Sequence, residues 1–165
     1  MKKIPKRFLD GKVTLSHSGV VPLYGTGLLF LLVRRPDILG PKLLRQVLGE
    51  EFGPLQGLHP YEAFVPSECE AYMSGEGKAY FARPNNVAVV LTPYQFQGCT
   101  GAEISAGTLA HECWHAASFI LSQVGVTTAF GNDEPMAYLL DWLVNDAAAW
   151  LNGLGFELCA AKARG

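Results

Sequence analysis

The segment from residue 102 to about residue 124 contains no proline, and it constrains the fold of this chain more than any other stretch. Its apolar side chains recur at the spacing of an α-helix and form one stripe. Gly125 follows directly and suits the C-terminal stop of a helix. We therefore predict an amphipathic helix that packs its apolar side against a core. The stripe consists of Leu109, Cys113, Ala116, Ala117, Ile120 and Val124.

A second helix is predicted over the segment GNDEPMAYLLDWLVNDAAAWLNGLG, which begins at residue 131. Either Asn132 or Asp133 suits the N-cap, and Pro135 would lie in the first turn, where its missing N–H costs nothing. The helix should end near Gly153. One of its sides is apolar, and the opposite side carries a polar stripe. The stripe consists of Glu134, Tyr138, Asp141 and Asn145.

Glycine and proline interrupt the first hundred residues far more often than the last sixty, which predicts strands and turns there. GKVTLSHSGVV and GLLFLLV have the composition of strands, and KAYFARPNNVAVVLT predicts a β-hairpin that reverses at residues 84–86. GPKLLRQVLGEEFG predicts an amphipathic helix. We therefore expect one α+β domain over residues 1–165. Residues 1–12 would be a basic arm in solvent, 13–100 a small mixed or antiparallel sheet, and 101–153 the helical half.

Composition argues against several classes of partner. Charged residues make up 17% of the chain and the net charge is −2, so we expect no nucleic-acid partner. The longest apolar run covers residues 28–33, far below the roughly 20 residues that a membrane-spanning helix needs, so we expect no membrane partner. Four scattered cysteines without a CxxC pair or an export signal predict free thiols and a cytoplasmic location.

The first predicted helix carries the sequence HECWH, with His111 and His115 one turn apart on the same face. Two imidazoles at this spacing can reach one metal ion. Glu112 lies about 100° around the helix from His111, where it could accept a proton from a metal-bound water without binding the metal. The alternative is a solvated polar face on which the histidines bind nothing.

A catalytic zinc usually takes three protein ligands, so the histidine pair needs a partner from elsewhere in the chain. Glu134 is the candidate, since it follows His115 by nineteen residues and would head a helix that runs back past the pair. If the polar stripe faces the histidines, Tyr138 lies one turn further along and Asp141 or Asn145 could orient a histidine. The alternative is that the stripe is solvated.

These residues resemble those of the zincin metallopeptidases, and within them the gluzincin branch. The resemblance is carried by TLAHECWHAA at residues 108–117 and by DEPMAY at residues 133–138. It implies a zincin-like fold in which His111, His115 and Glu134 hold Zn²⁺. Glu112 would then be the general base and later the proton donor to the leaving amine. The chain is also similar to minimal single-domain gluzincins and to small uncharacterised phage proteins with an HExxH motif.

Two further expectations follow from the resemblance. Larger gluzincins take an oxyanion-stabilising group from a subdomain after the third ligand, but only 31 residues follow Glu134 here. Tyr138 would have to serve, or one of Tyr61, Tyr94, His17 and His59. Zincins also hold peptides along an edge strand, for which residues 85–92 are the candidate, the alternative being a core strand without substrate contact.

The sequence thus predicts a zinc-dependent metallopeptidase that hydrolyses a peptide or protein substrate with a metal-activated water. The alternative from another class is a non-catalytic zincin-like interaction or assembly module, possibly phage-encoded, that keeps zinc for stability. Glu112 favours the enzyme, because a structural zinc site needs no carboxylate base. Pro135 disfavours it, since it restricts the backbone directly after Glu134. A third reading is a metal-free helical protein.

Overall fold

The computed structural model describes residues 4–10, 15–34, 64–66, 77–82, 86–93, 102–129 and 131–160, with the main chain alone for 64–66, 77–82 and 86. The chain is an α+β protein, as predicted. The helix expected over residues 40–53 lies outside the described residues. Within the described residues the helices are α1 (Lys6–Leu9), α2 (Ala106–Gln123) and α3 (Glu134–Leu154). The strands are β1 (Leu15–Val20), β2 (Gly27–Leu32), β3 (Phe64–Pro66), β4 (Gly77–Ala82), β5 (Asn86–Leu91), β6 (Glu103–Ser105) and β7 (Glu157–Cys159).

Strands β1 to β5 form one mixed sheet in the order β1-β2-β5-β4-β3. β2 and β5 run parallel, whereas β1 with β2, β4 with β5 and β3 with β4 run antiparallel. The predicted hairpin is confirmed, because Ala82 pairs with Asn86 across the expected reversal. The prediction of an edge strand over residues 85–92 is wrong. β5 has a neighbour on each side, so its main chain is engaged by β2 and β4, and the alternative of a core strand holds.

The two central strands are buried on both faces, which explains their nearly continuous apolar sequences. Leu28, Phe30 and Leu32 of β2 join the core that the helices cover, and Leu29 and Leu31 on the other face are also fully buried. One hydrophobic cluster includes residues from β2, β5, α2 and α3. The sheet of the first half and the helices of the second half are therefore joined by a common core.

Helix α2 begins later than the sequence suggested, because residues 103–105 pair with β7 as strand β6. Ser105 is the N-cap, and its Oγ accepts a hydrogen bond of 3.1 Å from the N–H of Thr108. The predicted apolar stripe is buried except for Val124, which follows the last helical turn and is 45% exposed. The packing of α2 against α3, β4, β5 and β6 therefore fixes which residues it turns away from the core.

Helix α3 selects Asp133 from the two predicted N-cap candidates, Asn132 and Asp133, and it confirms the predicted position of Pro135 in the first turn. The helix ends at Leu154, where Gly155 adopts a left-handed conformation with φ 94°. The N–H of Phe156 then bonds to the carbonyl of Leu151 at 3.0 Å. Among the described helices, none combines the length and the apolar character needed to cross a bilayer.

The N-terminal segment departs from the solvated arm that its basic residues suggested. Residues 6–9 form the single helical turn α1, in which Lys6 and Arg7 are exposed but Phe8 is completely buried. The Phe8 ring meets the ring of Phe156 edge-on, with 5.6 Å between the centroids. The aromatic side chain thus anchors this segment in the core while its charged neighbours remain in water.

Candidate metal site

The histidine pair lies on the side of α2 that faces away from the sheet. His111 is exposed and His115 is half-buried, while Cys113, Ala116 and Ala117 between and beyond them are fully buried. The helical period and the apolar stripe determine this placement, since burial of one side presents the other to solvent. The sequence predicted the position of the two histidines correctly.

The two imidazoles converge on each other through the same ring atom. The Nε2 atoms of His111 and His115 lie 3.1 Å apart, and the ring planes are nearly perpendicular at 80°. If a zinc ion lay 2.0–2.1 Å from each nitrogen, the N–Zn–N angle would be about 100°, which is close to the tetrahedral angle. The pair therefore fits two ligands of one tetrahedral metal ion.

The environment of His115 favours the neutral form of its ring. Burial lowers the pKa of His115, and the adjacent His111 lowers it further. The Trp114 indole also packs against this ring in a nearly perpendicular arrangement, with 5.1 Å between the centroids. Because a metal ion binds the neutral imidazole, these contacts make His115 available as a ligand near pH 7.

Glu112 is more deeply buried than its predicted position at the border of the histidine face. It is 6% exposed, and its Oε2 atom is closed off from solvent. Burying a carboxylate costs free energy unless it is compensated by polar contacts. A carboxylate held out of bulk water on the same helix turn as the histidine pair is compatible with the role of a general base.

Cys113 is a packing residue rather than a nucleophile. Burial raises the pKa of its thiol to about 12, with smaller contributions from the negative charges of Glu112 and Asp146. At pH 8 this makes the reactive thiolate about a thousandfold rarer than for an exposed thiol.

We predict that iodoacetamide at pH 8 alkylates Cys113 at least about a thousandfold more slowly in the folded protein than in denaturant. The comparison is made at the same residue by mass-spectrometric peptide mapping. Unfolding removes both the burial and the neighbouring charges, so it restores the ordinary thiol. Equal labelling in the two conditions would contradict the burial of this side chain.

The structure does not bring Glu134 to the histidine pair. Met136 of α3 lines a cavity of about 280 Å³ with Ser118 and Ser122, which lie on the histidine side of α2. Glu134 is two residues from Met136, about 160° around the helix, and so lies on the opposite side of α3. Within the described ranges, no three or more His, Cys, Asp or Glu side chains are grouped to hold a metal ion.

The rest of the polar stripe of α3 also faces away from α2. Tyr138 is 73% exposed and lines a second cavity together with Glu134, so its position does not support the oxyanion role. Asn145 donates a hydrogen bond of 3.0 Å to Asp141 rather than to a histidine. The polar stripe of α3 is therefore solvated, which was the alternative to its facing the histidines.

His17 of β1, a further oxyanion candidate, has a packing role in the structure. Its Nε2 atom lies 3.0 Å from Oδ2 of Asp146, and its ring packs against those of both Phe30 and Trp150, which also contact each other. It thereby connects β1 to α3. The other candidates, Tyr61, Tyr94 and His59, lie outside the described residues.

Sequence reasoning missed two aromatic features, one within the histidine motif and one on the far side of α3. Trp114 is an exposed aromatic residue within the histidine motif, and it packs against the ring of His115. Its position directly before His115 in the sequence could have indicated this contact. Tyr138 and Trp142 are four residues apart and line one cavity. Their i, i+4 spacing places two aromatic rings on one face of a helix, which was also visible in the sequence.

Comparisons of the chain with protein-family models, with curated proteins and with solved structures return no match. The resemblance to zincins therefore rests on the residues of the two motifs and on the geometry of the histidine pair.

Proposed function

We propose that the protein is a zincin-like, zinc-dependent metallopeptidase in which His111 and His115 are metal ligands and Glu112 is the general base. The observation that carries this proposal is the 3.1 Å approach of the two Nε2 atoms on a helix that also buries the side chain of Glu112, which is 6% exposed. A surface helix with incidental histidines has no reason to bury the charged residue between them. On such a surface helix, a glutamate at an exposed position would remain hydrated and would carry no desolvation cost.

In amide hydrolysis, Glu112 and the two histidines would have different roles. Zinc, when bound, supplies a Lewis acid that polarises the scissile carbonyl and makes water more acidic. Glu112 accepts the proton of the attacking water and returns it to the leaving amine. His111 and His115 act as neutral ligands, and the lowered pKa of His115 keeps that ring neutral.

Glu134 is the proposed third ligand. For Glu134 to bind the same metal ion as the histidines, the first turn of α3 must rearrange. Two features make that start less firmly fixed than the rest of the helix. The side chain of Asp133 makes no capping hydrogen bond, and Pro135 disfavours the helical conformation that Glu134 adopts. A helix that begins at Pro135, with an extended Glu134 before it, would relieve that restriction and free the carboxylate to turn.

Zinc content is the direct test of the site. We expect about one zinc per chain in the wild type, and loss of that zinc in both His111→Ala and His115→Ala, because two ligands cannot hold a catalytic zinc. Ser118→Ala, on the same helix face, is the matched control and should retain it. The measurement is metal analysis after dialysis against a weak chelator, with circular dichroism to confirm folding.

Glu134→Gln extends the same experiment to the third ligand. Loss of zinc in this variant supports Glu134 as the third ligand, whereas full retention assigns that position to another group. A wild type that holds no zinc overturns the whole proposal.

The separation of Glu134 from the histidines supports one alternative. A zincin-like interaction or assembly module would keep a metal for stability without a complete catalytic centre. Wild-type protein that binds zinc, gains thermal stability from it and cleaves no unfolded protein substrate would favour this module over the peptidase.

A further inference from the structure

A cavity of about 530 Å³ lies between the β1–β2 turn and the first turns of α3, on the side of α3 opposite α2. Its volume falls within the range of small-molecule sites in proteins. Three aromatic side chains line it, Tyr24 from the turn and Tyr138 and Trp142 from the helix. Glu134 adds a carboxylate to this otherwise apolar lining.

The turn that forms one wall has an unusual conformation. Leu23 has a φ of 70°, in the left-handed region that a leucine rarely adopts, and its side chain is 99% exposed. Hydrogen bonds hold the turn, from the N–H of Val21 to the carbonyl of Thr26 and from the N–H of Gly25 to the carbonyl of Val21. The fold thus tolerates a strained, fully exposed apolar residue at the mouth of the cavity, where packing gives no reason for it.

The charged side chain that the structure shows at the cavity is acidic. None of the described residues that line it is basic. Residues 102–160 contain no lysine or arginine, and they contain seven acidic residues, namely Glu103, Glu112, Asp133, Glu134, Asp141, Asp146 and Glu157. The N-terminus of α3 contributes the equivalent of about half a positive charge, which the full charge of Glu134 outweighs.

Aromatic faces together with a carboxylate attract one kind of ligand, an organic cation with apolar substituents. The negative faces of Tyr and Trp rings bind an ammonium group, and the apolar lining accommodates its alkyl groups. We propose that this cavity binds a small alkylammonium ion, with Tyr24, Tyr138 and Trp142 around the cationic group and Glu134 as its counter-ion. This binding site goes beyond the proposed peptidase activity and lies on another face of the molecule.

Choline and its neutral carbon isostere, in which carbon replaces the ammonium nitrogen, are the probes that test the proposal. We expect choline to bind at least about tenfold more tightly, because the two molecules have the same shape and differ in charge. Binding is followed by the indole N–H signal of Trp142 in NMR spectra, assigned by its loss in Trp142→Phe. Equal affinity for the two probes, or no binding of choline, overturns the proposal.

Variants separate the aromatic contribution from the ionic one. Tyr138→Ala and Glu134→Gln should each weaken choline binding about tenfold, whereas Tyr138→Phe keeps the ring and should bind as the wild type does. Asp141→Asn removes an acidic residue of the same helix that does not line the cavity, and it should have little effect. Unchanged binding in both Tyr138→Ala and Glu134→Gln would show that the cation binds elsewhere.

Because Glu134 is also the proposed third zinc ligand, all choline titrations are made on protein freed of metal by a chelator. The same titration in His115→Ala distinguishes the two proposals. Retained choline binding in this variant, with loss of zinc, supports the cavity as a site of its own. Loss of choline binding in the folded His115→Ala variant overturns that independence and the cavity proposal with it.

Discussion

The Glu112→Gln variant is expected to keep its zinc and to hydrolyse unfolded protein substrates at least about a hundredfold more slowly than the wild type. Glutamine has nearly the shape of glutamate, so it can occupy the same buried position. It cannot accept the proton of the attacking water at neutral pH. The loss should therefore fall on kcat, since removal of the base changes the chemical step rather than the metal site. The measurement is the cleavage of a fluorescently quenched unfolded protein, with zinc content determined on the same sample.

The matched control is Glu157→Gln, which neutralises an exposed acidic residue of β7 far along the chain from the motif. It should leave both zinc content and cleavage unchanged. Retained activity in Glu112→Gln would end the role of this residue as the base. A joint loss of zinc and activity would instead show that Glu112 supports the metal site itself.

The helices and central strands could be predicted from the sequence because local pattern determines them. The apolar stripe of α2 predicted that Leu109, Cys113 and Ile120 are buried, and all three are fully buried. Glycines that adopt left-handed conformations end both long helices, at Gly125 and Gly155. In each case a short-range rule about period or backbone conformation was enough.

Features that depend on neighbours distant in sequence could not be predicted in the same way. Residues 85–92 have the composition of any buried strand, and only the pairing order places β5 between β2 and β4. The spacing of Glu134 from His115 allowed a contact, but spacing does not determine how α3 rotates about its own axis. That rotation is set by the apolar side of the helix, which turns Met136 toward α2 and Glu134 away from it.

The rotation of α3 also explains why the candidate site is only partly determined by its motif. An HExxH sequence positions its own three residues through the geometry of one helix, so His111, Glu112 and His115 follow directly from α2. A third ligand depends on the packing of two helices, where the burial of several leucines outweighs the position of one exposed carboxylate. This is why the zinc content of Glu134→Gln carries more information than that of either histidine variant.

The Phe8→Ala variant is expected to lower the free energy of unfolding by about 3–5 kcal/mol. Phe8 is 0% exposed, and its ring packs edge-on against Phe156 at 5.6 Å. The four residues of α1 are too few to form a stable helix on their own, so the buried ring holds this segment in place. Urea denaturation followed by circular dichroism measures the change. Arg7→Ala, an exposed neighbour in the same turn, should change the stability by less than about 0.5 kcal/mol.

A double-mutant cycle between Phe8 and Phe156 tests whether the aromatic contact itself contributes to that loss. Phe156 is positioned by the left-handed Gly155 and by its own N–H bond to Leu151, so the partner ring does not depend on α1 for its place. The two rings should therefore show a coupling of about 0.5–1.5 kcal/mol beyond the separate costs of the two cavities. If Phe8→Ala costs no more than Arg7→Ala, residues 4–10 do not pack on the core, and the solvated arm suggested by the basic sequence is the correct description.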